Sequence, residues 1–181
     1  QIQTIKAKFV LDASGFGRVL PRLLDLEKPS SLPTRSAVFN HVRDNISDPS
    51  FDRNKILISV HPDNQDIWYW LIPFSDGRCS VGVVGEPQLI AALGGFADDS
   101  INSSNNSIGG NLDTVLNTMI AQEPGLKKLL KNAELINDSG LLKGYSANVK
   151  TLATDQFALL GNAGEFLDPV FSSGVTIAMQ S

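Results

Sequence analysis

The sequence predicts an α+β chain. An antiparallel sheet with packed helices occupies its middle, flanked by two pieces of a second, incomplete domain. Three observations carry this. Four β-branched and aromatic runs crowd residues 34–86, with only short turn-formers between most of them. Apolar residues at helical spacing follow. Near the end, an apolar run breaks into Gly161-Asn162-Ala163-Gly164, and after Pro169 a second small-residue cluster, Ser172-Ser173-Gly174, opens another apolar segment.

Taken in order, residues 4–11 read as a strand, followed by a glycine turn and a short helix over 19–24. The strand runs are 36–42, 55–60, 67–72 and 79–84, punctuated by Pro62-Asp63-Asn64 and Ser75-Asp76-Gly77. Their short connections predict an antiparallel meander. Residues 87–135 are helical in tendency. Leu112, Val115, Leu116, Met119 and Ile120 share one face, and Asn111 can cap it. A second short helix is expected over 124–131, and strand returns from 141. Residues 98–110 are rich in Asn, Ser and Gly and read as a mobile loop. The domain division expected is 1–33, 34–150 and 151–181, the first and last being parts of one domain.

Composition narrows the function. The 181 residues are 42% hydrophobic, enough for a sizeable core. The formal charge of -4, with Lys and Arg scattered, argues against nucleic acid as a partner. The single cysteine, Cys79, allows no internal disulfide and fits a reducing cytoplasm. It lies in an alternating strand run, where a packed structural thiol is expected. No apolar run approaches the roughly 20 residues of a membrane span. His41 and His61 have no partners at ligand spacing, so no metal site is assigned.

Two places look chemical. A strand running into small residues lets a ligand approach the backbone closely. A helix opening on Ser172-Ser173-Gly174 would turn free N–H groups and a positive dipole end towards an anionic or polarisable group. An ordinary strand, loop and helix would show the same pattern. Trp68 and Trp70, two apart in a strand, point to one face, with Tyr69 on the other. They either fill the core between sheet and helices or form a flat wall on which an aromatic molecule could stack.

Three segments carry a resemblance. Residues 161–175 resemble the second flavin-binding segment of FAD-dependent monooxygenases and halogenases, relatives of p-hydroxybenzoate hydroxylase and geranylgeranyl reductase. Asp12-Ala13-Ser14-Gly15 resembles a strand-turn in the middle of those proteins. Trp68-Tyr69-Trp70-Leu71-Ile72-Pro73 fits the W-x-W-x-I-P motif of flavin-dependent halogenases. The three occur in the family's order over nearly the whole chain.

The resemblance implies an FAD-binding, Rossmann-like domain around the middle sheet. It implies cofactor contacts at Asp12, Gly15, Gly161, Asn162, Asp168, Pro169, Ser172, Ser173, Gly174 and Val175. It also implies an active-site wall of Trp68, Trp70 and Pro73, and chloride on the amides of Ser173 and Gly174. Asn162 stands where relatives usually have Asp, and Phe171 where tryptophan halogenases have Glu. The latter points to the phenol- or pyrrole-type branch. The partners implied are an aromatic or apolar small molecule, a flavin reductase supplying reduced FAD, or a carrier protein holding the substrate. The enzyme implied is a halogenase-like or hydroxylating flavin monooxygenase; a geranylgeranyl-reductase-like enzyme and a non-redox module for an apolar ligand remain open alternatives.

The chain has no G-x-G-x-x-G turn, begins at Gln1 inside a β-rich run and ends at Ser181 early in a helix. It is therefore expected to be a fragment of a longer flavoprotein, without turnover of its own and binding FAD weakly or not at all. A flavin-fluorescence titration checks this, and submicromolar binding would overturn it.

Overall fold

The computed structural model describes residues 3–94 and 111–181; the loop expected at 98–110 lies outside them. In chain order the elements are β1 (Val10–Asp12), α1 (Val19–Leu23), β2 (Glu27–Lys28), β3 (Ser36–Arg43), β4 (Leu57–His61), β5 (Asn64–Pro73), β6 (Arg78–Gly85), α2 (Pro87–Gly94), α3 (Leu112–Gln122), α4 (Pro124–Leu129), β7 (Glu134–Leu135), β8 (Gly140–Lys143), β9 (Asn148–Val149), β10 (Phe157–Leu159) and α5 (Gly174–Gln180). The chain forms two compact units, Arg35–Lys143 and a second made of Gln1–Thr34 with Gly144–Ser181.

In the larger unit the strand order is β4-β5-β6-β3-β7, with β8 also paired to β3. All of these pairings are antiparallel. One sheet was expected and one forms, but it is not a simple meander. Only β4, β5 and β6 follow one another by short turns, and β3 lies beside β6. The connection over 44–56 is no tight hairpin, so nothing obliges β3 and β4 to pair. Residues 134–135, read with the helical stretch, pair instead as β7 on β3.

Alternation along β5 divides the sheet into two faces. Ile67, Tyr69 and Leu71 are fully buried and join Val38, Val42, Val81 and Val83 in the core with Ile90 of α2, Val115, Leu116 and Met119 of α3, and Leu126 of α4. The Asn111 side chain caps α3 by accepting from the Asp113 N–H at 2.9 Å. The Glu123 side chain caps α4 at the Leu126 N–H. The Tyr69 hydroxyl donates to the Met119 carbonyl at 3.1 Å, so the largest core side chain leaves no polar atom stranded. His61 also ties sheet to helix. Its Nδ1 accepts from the Asp63 N–H at 3.1 Å, which places the proton on Nε2, 2.9 Å from Gln122 Oε1.

At one end of this sheet a buried carboxylate organises three segments. Asp44 receives both terminal nitrogens of Arg53, at 3.1 and 2.9 Å, and the Cys79 thiol at 2.9 Å. Arg53 in turn donates to the carbonyls of Phe74 and Arg78, closing the β5–β6 turn. Burial works to raise the Asp44 pKa, but the Arg53 and Cys79 hydrogen bonds, the Ile46 N–H and the Arg53 charge together hold it below the usual carboxylate value. The Cys79 thiol is pushed up to about 12, first by burial and then by Asp44. It is a packed structural thiol, as expected.

A carboxyl whose folded pKa is lowered stabilises the fold above its unfolded pKa, and that contribution is lost as the pH falls through the folded value. Asp44→Asn should therefore cost about 3 kcal/mol at neutral pH. The gap to the wild type should narrow in acid, below the usual carboxylate range. Urea unfolding at both pH values checks this; an equal gap at the two would overturn it.

Candidate functional site

In the smaller unit, β1 and β10 pair in parallel, Val10 with Phe157 and Asp12 with Leu159. The strand expected over 4–11 shrinks to Val10–Asp12, because only the three residues facing β10 have a partner. Both strands then turn sharply. After β1, Asp12 holds the turn closed: Oδ1 accepts the Ser14 N–H at 2.8 Å and Oδ2 the Leu20 N–H at 2.7 Å. Burial pushes the Asp12 pKa up, yet the Ser14 side chain, these two backbone bonds and the nearby Arg18 charge hold it below the ordinary value. Gly15, in the same turn, has a φ of 58°. After β10, Gly161 takes a φ of 54° to start a single 3-10 turn, Gly161–Ala163. A Cβ at Gly161 would lie 3.1 Å from Ala178 Cβ, so its small size lets α5 pack close.

Arg18 joins the two turns. It is 4% exposed, at a left-handed φ of 47°. Its guanidinium donates to the carbonyls of Ala163 and Gly164 (3.3 Å each), Asn162 (3.5 Å) and Asn148 (3.0 Å), and to Glu27 Oε1 at 3.0 Å. One buried side chain thus takes up the carbonyls left over at the end of the 3-10 turn. Sequence reasoning assigned no role to Arg18. Its signal was a lone cation beside a glycine-rich turn, which does not say where the acceptors lie.

The loop beyond holds most of the remaining candidate cofactor residues. Asp168 precedes a 3-10 turn, Pro169–Phe171, and its Oδ1 accepts from the Tyr145 hydroxyl at 3.4 Å. Ser172 then adopts a left-handed φ of 52° and α5 starts at Gly174. Ser173 caps α5 with no side-chain hydrogen bond. Beyond its own chain neighbours and helix backbone, a Cβ at Gly174 would meet nothing within 4 Å among the described residues. Phe171 is 90% exposed and Val175 71%. Asn162 contributes its carbonyl to Arg18. Phe171 and Val175 are thus exposed and the space beside the Gly174 Cα is open among the described residues, while the Ser172 N–H donates to the Pro169 carbonyl at 2.8 Å.

In the larger unit, the sheet face opposite the helices carries Trp68 and Trp70. Their rings are 6.0 Å apart, tilted by 49°. The space between sheet and helices is filled by Ile67, Tyr69 and Leu71 instead. Pro73 ends β5, paired with Cys79. A row in register crosses five strands on the Trp70 face: Ile58, Trp70, Gly82, Phe39 and Gly140. Trp70 Nε1 donates to Ser80 Oγ at 3.0 Å. Trp68 Nε1 is buried and has no hydrogen-bond partner among the described residues. Among the described residues no three of His, Cys, Asp and Glu gather as a metal cluster, and no helix is long and apolar enough to cross a membrane.

No family model matches the chain. It is 30% identical over 188 residues to a 1H-pyrrole-2-carbonyl-[peptidyl-carrier protein] chlorinase of Pseudomonas fluorescens, covering 98% of this chain and 37% of that protein. Among solved structures, a flavoprotein/dehydrogenase from Cytophaga hutchinsonii matches with a TM-score of 0.78 and 38% identity, over 96% of this chain and 38% of that one. CmlS, a flavin-dependent halogenase, matches with a TM-score of 0.72 and 25% identity, over 95% of this chain and 28% of that one. The chain thus spans well under half the length of each.

Arg18→Lys should not preserve the smaller unit, because one ammonium cannot reproduce a planar fork of donors. Both Arg18→Lys and Arg18→Gln should cost on the order of 3 kcal/mol and raise hydrogen exchange at Leu159 and Leu160. Wild-type protection of those amides in Arg18→Gln would overturn this role.

Proposed function

Because the chain belongs to the superfamily of FAD-dependent monooxygenases and halogenases, we propose that it is part of an FAD-dependent oxidoreductase, halogenase-like in type, acting on an aromatic or other apolar substrate. The observation that carries this reading is the turn from Pro169 into α5. There a left-handed Ser172 leads into a helix start with no side-chain cap, and the space beside the Gly174 Cα is open among the described residues.

These features fit the polar edge of a flavin. Ser173, Gly174 and Val175 would supply backbone N–H donors, and the helix start favours negative charge there. Pro169 would border the ring system, with Asp168 beside it. Asn162 would hydrogen-bond the cofactor as donor or acceptor without adding charge. Asp12 and Gly15 would shape the neighbouring turn. When bound, the flavin supplies the two-electron redox chemistry; the protein supplies position and field.

In the larger unit, Trp68, Trp70 and Pro73 would wall the substrate space and exclude water from it. They carry no group that moves a proton in this reading. A halogenase would hold chloride on the Ser173 and Gly174 amides. The curated relative named above acts on a pyrrole carried by a peptidyl-carrier protein, which makes a carrier-bound aromatic acid the leading substrate form and a separate flavin reductase the source of reduced cofactor. A cytoplasmic location is the corresponding setting.

Gly174→Val in the full-length enzyme tests the loop. Gly174 has no positive φ and the space beside its Cα is open among the described residues, so the melting temperature should move by no more than about 1 kcal/mol implies. Flavin occupancy and flavin-dependent turnover should both be lost. Normal occupancy with normal turnover would overturn the assignment.

A further inference from the structure

Two glycines on the Trp70 face are there for the rings that lie on them. Gly82 pairs with Trp70 on one side and Phe39 on the other; Gly140 pairs with Phe39 on its far side. Aromatic and glycine therefore alternate along one row across four strands. A Cβ on Gly82 would fall 2.7 Å from Trp70 Cζ3 and closer still to Cζ2 and Cη2. A Cβ on Gly140 would fall 2.9 Å from Phe39 Cζ. Neither glycine has a positive φ, so backbone conformation does not require them. Glycine in a strand interior also weakens the strand. What both positions share is a ring lying flat where a side chain would stand.

Side chains in a strand stand roughly perpendicular to the sheet. The Trp70 indole instead lies over Gly82, with Nε1 held by Ser80 Oγ at 3.0 Å. Its plane is tilted 33° from that of Phe39, at a centroid separation of 6.3 Å. We propose that Gly82 and Ser80 are positioning residues for the Trp70 indole, and that together with Gly140 under Phe39 they set the ring arrangement of an aromatic wall that admits a planar ring. Gly82 supplies the space and Ser80 the acceptor that fixes the ring's rotation. The wall's meaning for a substrate rests on the proposed function above; the ring positioning does not.

The chain contains only two tryptophans, so the exciton couplet of their circular dichroism reports this pair alone. Gly82→Ala should force the Trp70 ring off the sheet, abolish the couplet and lower the melting temperature. Adding Trp70→Leu should restore the melting temperature, because the clash then has no partner. An unchanged couplet in Gly82→Ala overturns the proposal. Should Gly82→Ala not fold, Ser80→Ala removes the acceptor without adding an atom. A weakened couplet in a folded protein supports the proposal and an unchanged one overturns it. In the flavin-loaded full-length enzyme, Gly82→Ala should raise KM for the apolar substrate about tenfold with little change in kcat. An unchanged KM alongside a lost couplet would sink the wall reading while leaving the ring positioning intact.

Discussion

Eight successive residue pairs, from Ser36 with Gly85 to Arg43 with Arg78, lock β3 to β6. The rest of the larger unit depends on that register. A slip of one residue would exchange the two faces of β3. Val38 and Val42 would leave the helices, and Phe39 would no longer sit opposite Gly82. The same register places Val42 opposite Cys79 and brings Asp44, just past the end of β3, to that thiol. Core, aromatic row and buried carboxylate are three consequences of one alignment.

The smaller unit is organised differently. Its strands are two or three residues long, too short to specify much by pairing alone. Order comes from polar groups that serve the backbone. Asp12 accepts the N–H groups of one turn, and Arg18 donates to the carbonyls of the other. Between them they settle the donors and acceptors that tight turns leave over. Phe16, Phe166 and Tyr145 add edge-on ring contacts around this arrangement. The unit buries Asp12 and Arg18 beside Tyr145, Val149, Leu159 and Ala163, and leaves the apolar Leu11, Phe171, Val175 and Met179 exposed.

The sequence showed the four longest strands, β3 to β6, because period-two alternation is a local property; the two-residue β2, β7 and β9 carry too few residues to show it. It put Trp68 and Trp70 on one face and Tyr69 on the other, and the sheet does the same. Asn111 was readable as a cap for the same reason. Strand order was not readable: the meander fails at the 44–56 connection, where length alone leaves the partner open. The length of β1 was missed because a β-prone run becomes a strand only where another strand meets it. Arg18 was missed because its acceptors lie some 130 to 146 residues further along the chain. Gly82 and Gly140 did carry a signal, glycine inside a strand, but its meaning needs the cross-strand neighbour.

Cys79 has a practical corollary. It is the sole sulfhydryl of the chain, fully enclosed and protonated across the whole physiological range. A thiolate, not a thiol, attacks maleimides and disulfides, so these 181 residues present no handle to such reagents when folded. A cysteine introduced at an exposed position such as Phe171 would be the one labelling site, with no background to remove. Attachment of a fluorophore or spin label there would turn the chain into a ruler for distances measured in solution.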